Sequence, residues 1–496
     1  MNIPRLLKIL SAVLILLVPP LYAEGYDLSR HVTEFKLANG MRWLIVKRTQ
    51  APVFSGVVMV RVGGADEADG KTGLAHMFEH MAFKGSERIG TRDWAKEKPI
   101  LAEIERVGAE LTGQQQKASP DASLVADLSK QLADLQRQAD AFQVKNEIWE
   151  VLVRNGASDL NAYTTKDLTA FHASLPINWL ELWARVTADM VFDPAYREFY
   201  IERKVVAEER RSSVENNPDG QMGEKLLAEA FEGGPYHWST IGFEKDILGL
   251  TIGDARAFHD RHYVPGNMVG VLVGDLNIEE AKRIIGRNFG VHPARPVPPS
   301  PSGPGKERGD VSEGFSFGAA PSLVVAYHKP TLPDPVEYSF DVINALLCGG
   351  RSSRLQKRLV YEKRMAGEIY CMVSYPGSRL KNLFMIWVEP LKPHSPADLM
   401  KEVEAEIERL RSEPVDEAEL SRVRKRVTAD LIFTLDKNMG LAEELAQFDT
   451  VFGDWRLLAD YPKRIAEIDS ANVMAAARKY LDDSNRVVIK RHKGKR

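Results

Sequence analysis

Two stretches of this 496-residue chain repeat one another, and no other feature limits the fold as strongly. An apolar run at 58–62 followed by an apolar helical stretch at 74–85 registers with a run at 323–327 followed by a stretch at 338–349. The shifts are 265 and 264 residues. The ends of the copies agree as well. Asp246, Ile247, Leu250, Tyr263, Asn267 and Val269 register with Arg464, Ile465, Ile468, Tyr480, Asn485 and Val487, with one single-residue slip at the tyrosine. Self-similarity over such a length means that one supersecondary unit is built twice. The segment 291–310 between the copies holds proline at 293, 296, 298, 299, 301 and 304. It reads as a stiff, extended linker. The expected organisation is a first unit at 24–290, the linker at 291–310 and a second unit at 311–496.

Local patterns fill in the units as α+β. Residues 31–37 and 42–47 alternate around Asn39-Gly40, a hairpin signal. Residues 53–62 read as a more continuously apolar strand, with a helix from about Gly73. A strand at 267–274 and a helix at 278–289 close the first unit, and helical periodicity dominates 397–481. Residues 94–150 have no counterpart in the second copy. Ile100, Ile104, Val107 and Leu111 fall on one helical face, and Leu124, Leu128, Leu132, Leu135, Ala139 and Phe142 on another. This predicts an inserted helical hairpin turning at 119–121, with Asp121 or Ser119 as cap. Its apolar stripe packs on itself or on a partner.

Residues 1–23 have a short basic start at Arg5 and Lys8, an apolar run at 9–18 and a possible cleavage site at 21–23. That is the layout of a Sec-type signal peptide, so the mature chain is expected in the periplasm or secreted. An uncleaved anchor fits less well, because the run is short and Pro19-Pro20 follow it. No later stretch is apolar enough to span a bilayer. Hydrophobic residues make up 44% and charged residues 27%, which excludes a disordered chain. A net charge of −3 gives no global basic field, so nucleic acid is not an expected partner. Two cysteines exclude a disulfide scaffold. Cys348 and Cys371 either pair or stand as two buried thiols.

The chemistry concentrates at His76-x-x-Glu79-His80. Four residues apart on a helix, the two imidazoles share a face and reach one metal ion. Glu79 lies on the same side, beside a metal rather than on it, where a general base acting on water belongs. With 11 histidines in 496 residues the pattern arises by chance roughly 0.02 times per chain. Its setting on an otherwise apolar helix makes unligated histidines costly. Zinc suits such a site, and a hydrolytic zinc site takes three protein ligands and leaves one position open. The third ligand is sought in the acidic segment 199–211. There Glu202 and Glu209, seven residues apart, share a helical face, while Glu208 points about a hundred degrees away.

The paired motifs, His-x-x-Glu-His and a distant Glu-x6-Glu, resemble the inverzincin peptidases, the family of pitrilysin, insulinase and the mitochondrial processing peptidase β subunit. The resemblance covers nearly all of the mature chain, through residues 74–85, 160–169, 202–210, 235–242, 273–275 and 349–355. It implies an α+β fold of two homologous units, each a mostly antiparallel sheet covered by helices. It further implies one zinc ion per chain held by His76, His80 and Glu209, with Glu79 as base and Glu202 as a supporting acidic residue. Asn161, Ala162 and Tyr163 match the edge strand that receives the backbone of a peptide substrate by strand addition. The implied activity is zinc-dependent hydrolysis of peptide bonds in unfolded peptides or oligopeptides. The alternative is a binding or scaffold subunit that kept the motif without hydrolysis.

Two departures stand out. The insertion lengthens the gap between the motifs. In the second copy Phe340, Ile343 and Asn344 register with His76, Glu79 and His80, so that copy is expected to hold no zinc. Active members of the family carry there an arginine and a tyrosine, seven apart, that grip the substrate near the scissile carbonyl. This chain has Val360 and Gly367 at the matching places, with Arg364 and Tyr370 out of register. The resemblance therefore implies a homologous partner subunit, without zinc, that supplies this clamp.

Overall fold

The computed structural model describes residues 28–494. The leader expected at 1–23 lies outside them. The first half of the chain supplies β1 (Val32–Lys36), β2 (Arg42–Lys47), β3 (Val53–Val60), β4 (Ser158–Thr164), β5 (Thr169–Pro176), the short β6 (Phe231–Glu232) and β7 (Met268–Gly274). After the short β8 (Lys306–Glu307), the second half supplies β9 (Val311–Phe317), β10 (Ser322–Lys329), β11 (Ala366–Tyr375), β12 (Asn382–Pro390) and β13 (Arg486–Lys493). One sheet runs β1-β2-β7-β3-β5-β4 and the other β11-β12-β10-β13-β9. Pairing is antiparallel except for β2 with β7 and β13 with β9.

Leaving out β1, the two orders are the same: β2, β7, β3, β5 and β4 take the places of β9, β13, β10, β12 and β11. The expected α+β fold with two related units is what the chain adopts. The helix after β3, α1 (Leu74–Ala82), has its counterpart in Val336–Cys348 after β10. In that counterpart Phe340 and Ile343 are fully buried core residues.

The insertion folds as two antiparallel helices, α2 (Trp94–Gln115) and α3 (Ala122–Asp140). Asp121 caps α3 by accepting from Ser123 N and Leu124 N. Ile104, Val107, Leu111, Leu128, Leu132 and Ala139 are buried and join the core of the first half, so the stripe packs on its own body. Gly108 makes this possible, because a Cβ there would fall 2.1 Å from the ring of Tyr200. Residues 147–154 do not belong to the hairpin. They form a separate amphipathic helix, α4 (Glu147–Arg154). The first half continues with α5 (Leu180–Phe192), α6 (Phe199–Arg210), α7 (Pro218–Ala230) and α8 (Glu244–Gly249).

The halves exchange helices. Helix Asn438–Gln447 of the second half covers one face of the first sheet, where Leu441, Leu445 and Ala446 pack with Val57, Met59, Val271 and Val273. In return α7 lays Met222, Leu226 and Leu227 on the second sheet, against Val324, Met385 and Ile489. The proline-rich segment is also stitched down rather than free. Pro304 O accepts from Tyr236 N at 3.0 Å, and β8 pairs with β6. Cys348 and Cys371 are joined in a disulfide, with Cα atoms 5.7 Å apart. Among the described residues no helix is long and apolar enough to cross a membrane.

Candidate metal centre

Helix α1 starts where a left-handed residue is needed. Gly73 caps it at φ 89°, and a Cβ there would also meet Ile241 O at 2.7 Å. The buried Glu67 carboxylate accepts from Ala75 N at 2.9 Å, satisfying a free donor of the first turn. Trp238 Nε1 donates to the other oxygen of Glu67 at 3.2 Å. Burial pushes the Glu67 carboxyl up, and the Lys166 ammonium opposes the shift.

The apolar side of α1, with Met77, Phe78 and Met81, sinks into the first core. The other side carries His76 and His80 towards α6. There Glu209 Oε1 lies 3.7 Å from His76 Nε2, and Oε2 lies 3.6 Å from His80 Nε2. One ligand atom from each of the three residues falls within 4.8 Å of the others. Tetrahedral ligands about 2.1 Å from a zinc ion stand about 3.4 Å from one another, so the three groups fit zinc with little adjustment. Among the described residues they form the one such group of histidine, cysteine or carboxylate side chains. Burial and the neighbouring His80 pull the His76 pKa down to about 4, which leaves that imidazole neutral and able to ligate.

Glu202 stands two turns before Glu209 on α6. Its carboxylate meets His80 Nδ1 at 3.1 Å and Lys84 Nζ at 2.6 Å. Burial alone would raise this carboxyl, but the hydrogen bonds and charges of His80 and Lys84 hold it below the ordinary value. Burial alone would lower His80; contact with Glu202 and the charges of Glu209 and Glu79 raise it instead. The arrangement fixes the ring so that Nε2 faces Glu209, the orienting role that a carboxylate behind a ligating histidine performs. Glu79 takes no part in that contact. Its Oε2 accepts from Thr164 Oγ1 at 2.6 Å, and burial raises its carboxyl.

Asn161, Ala162 and Tyr163 lie on β4, the outermost strand of the first sheet. They pair inward with His172, Phe171 and Ala170, and among the described residues no strand pairs with the other edge of β4. Strand alternation turns Ala162 and Thr164 to the side opposite Tyr163. The structure thus gathers His76, His80, Glu79, Glu202 and Glu209 in one place and sets an open strand edge beside them through Thr164. Three contributors were missed from sequence: Thr164, Lys84 and Glu67. Thr164 could have been found, because it follows Tyr163 on the face opposite to it. Lys84 is one helical turn beyond His80. Nothing local marks Glu67.

A fold of two related sheet-and-helix units with a histidine pair and carboxylates on the first defines a two-domain metallopeptidase-like protein. The description "Insulinase (Peptidase family M16)" fits residues 43–121 and 140–243, and "Peptidase M16 inactive domain" fits residues 249–427. The chain belongs to the insulinase family, peptidase family M16. Residues 122–139, nearly all of α3, fall outside the match. The protein is similar to "Zinc protease PqqE" of Helicobacter pylori, 25% identical over 98% of both chains. It is also similar to "Probable mitochondrial-processing peptidase subunit beta" of Arabidopsis thaliana, 22% identical over 94% of this chain and 80% of that one. Among solved structures, a protease from Helicobacter pylori superposes with TM-score 0.76 at 23% identity, covering 93% of this chain and 99% of that chain. A peptidase M16 inactive domain from Pseudomonas fluorescens gives TM-score 0.74 at 18% identity, covering 94% and 98%.

Proposed function

We propose that this protein is a zinc-dependent endopeptidase acting on unfolded peptides, and the catalytic subunit of a hetero-oligomer. The observation that carries the reading is the convergence of His76, His80 and Glu209, with Glu79 beside them and on none of their contacts. Zinc, when bound, acts as a Lewis acid that acidifies water to a pKa of ~7 and polarises a peptide carbonyl. The residues do the rest. The open edge of β4 pairs with an extended peptide backbone, which selects for unfolded substrates by main-chain geometry. Glu79, positioned by Thr164, takes the proton from the attacking water and delivers it to the leaving amine. Glu202 and Lys84 hold the His80 ring.

The partner follows from what the second half lacks. Its Val360 and Gly367 provide no cationic or phenolic donor for the developing oxyanion. A homologous chain without zinc supplies that pair, and two bilobed chains enclose a chamber. With zinc and an unfolded peptide, the purified chain alone is expected to be slower than with its companion by roughly 10²–10³-fold, the effect of one lost oxyanion donor. Full turnover by the chain alone would sink the partner requirement.

Glu202→Gln removes the charge behind His80 and leaves the three ligand groups. Zinc affinity, measured by competition with a chromophoric chelator, is expected to fall about 10–100-fold. Unchanged affinity would remove Glu202 from the site. The signal-like leader and the Cys348–Cys371 disulfide support a mature protein in the periplasm or outside the cell. N-terminal sequencing of the protein from its native host should begin near Glu24, and a start at Met1 would count against export.

A further inference from the structure

Helix α6 has two working faces. One carries Glu202 and Glu209. The other, with Tyr200, Ile201 and Arg203, walls a cavity of about 1010 Å³ closed by the hairpin α2–α3 and by α8. The hairpin contributes Leu111, Leu132 and Ala133, and α8 contributes Leu248, so much of the wall is apolar. Its size matches cavities that bind small organic molecules.

Its charge is one-sided. Arg203 is only 6% exposed, yet among the described residues no carboxylate pairs with it. Its Nη1 donates to Thr112 Oγ1 at 2.9 Å and Leu250 O at 2.7 Å, while its Nε is buried with no hydrogen-bond partner. Burial draws the guanidinium below its ordinary pKa, and the Tyr200 ring beneath it, 5.0 Å away, is its nearest compensation. A buried cation without an anion is costly unless one arrives. Lys204 and Lys245 stand exposed at the same cavity, and neither has an ion-pair partner among the described residues. The one acidic residue of the lining, Asp246, accepts from Thr72 Oγ1 at 2.7 Å. With Nη1 engaged and Nε enclosed, Nη2 is the guanidinium nitrogen left to donate to a carboxylate.

We infer that the cavity between the α2–α3 hairpin and α6 binds a small organic anion, a carboxylate on an apolar body, with the carboxylate on Arg203 and the body against Leu111, Leu132 and Leu248. Two sources share this chemistry: a free acyl carboxylate and the C-terminal carboxylate of a short apolar peptide. The site is formed from the segment that distinguishes this chain within its own repeat, and it is independent of peptidase activity.

Titration calorimetry on the full-length chain tests it. The probes are decanoate against decanol, and acetyl-Leu-Leu with a free carboxylate against its amide. At least one carboxylate should bind saturably with Kd below about 100 µM, with its neutral analogue about tenfold weaker or worse. Which acid binds identifies the source. Arg203 also ties Thr112 and Leu250 together, so the variants avoid it. Ala133→Trp puts an indole into the apolar part of the lining, beside Leu132, and should weaken binding of that acid severalfold. Lys204→Ala with Lys245→Ala should weaken the acid severalfold and leave the neutral analogue unchanged. The inference is overturned if no acid saturates below about 1 mM, if head-group charge makes no difference, or if Ala133→Trp leaves binding intact. None of these readouts depends on zinc or on hydrolysis, so failure here and failure of the peptidase reading are separable.

Discussion

Glu79→Gln is expected to keep its zinc and lose hydrolysis. Glu79 is not among the three groups that converge on the candidate metal position, and its side-chain hydrogen bond from Thr164 Oγ1 can be accepted equally by a glutamine carbonyl oxygen. The substitution is nearly isosteric at a half-buried position, so helix α1 keeps its packing on the first core. What it removes is the capacity to carry a proton. Without that base the rate should fall about 10²–10⁴-fold, and the loss should appear in kcat, since peptide pairing with the β4 edge is untouched. Metal content by atomic emission and hydrolysis of an unfolded reporter peptide check the two halves of the prediction separately. If cleavage survives within about tenfold, general-base catalysis by Glu79 is wrong. If zinc is lost together with activity, Glu79 belongs to the ligand set. An active unsubstituted chain whose Glu79→Gln variant keeps zinc and loses that activity is the pattern that separates a peptidase from a subunit that merely kept the motif.

What could be read from the sequence was local. The spacing of His76, Glu79 and His80 needs only one turn of helix to acquire meaning, and Glu202 and Glu209 need two. The repeat was legible because strand, helix and terminal strand recur at nearly constant shifts. The inserted hairpin was legible because its stripe is continuous and Asp121 caps it. Other features depend on partners far along the chain. The exchange of α7 for helix Asn438–Gln447 has no signature, since each helix shows only an apolar face and not which sheet receives it. β9 was missed: its alternation is weak, and it joins the sheet by parallel pairing with β13, more than 150 residues away. α4 was absorbed into the hairpin because its apolar periodicity continues that of α3 across a short break. Asp167 and Tyr236 belonged to matched segments from the start, but their task is visible only once the second half is in place.

That task gives a large expected effect on stability. The loop between β11 and β12 brings Arg379 into the first half, where its Nη2 lies 2.8 Å from Asp66 Oδ2 and its Nε 3.9 Å from Asp167 Oδ1. The three side chains are 2%, 5% and 4% exposed. Asp167 also accepts from Tyr236 Oη at 2.6 Å and from the backbone N–H of Arg379 at 3.0 Å. Burial raises the Asp66 carboxyl even with Arg379 beside it. Arg379→Met keeps the bulk and removes the cation in contact with both carboxylates, leaving them to the indirect charges of Arg61 and Lys166. Stranding a buried charge in this way costs about 3–5 kcal/mol, a large part of the stability of an ordinary protein. The urea midpoint should fall accordingly. Adding Asp66→Asn and Asp167→Asn should recover much of the loss, because the penalty lies in the stranded charges rather than in the missing contact. The pH dependence has a definite sign. Asp66 binds its proton more tightly folded than unfolded, and more so without Arg379. Stability of the single variant should therefore fall as pH rises from the unfolded carboxylate value, ~3.9, through the raised folded value. The effect should also reach the metal centre. Gly64 N and Ala65 N donate to Thr165 O and Lys166 O, so the segment holding Asp66 fixes the end of the strand on which Thr164 meets Glu79. A displacement of about 1 Å at a positioning residue costs about 10²-fold, so Arg379→Met is expected to lower kcat per folded molecule as well as the urea midpoint. Unchanged stability together with unchanged kcat would show that the Arg379 contacts neither hold the halves together nor position Thr164.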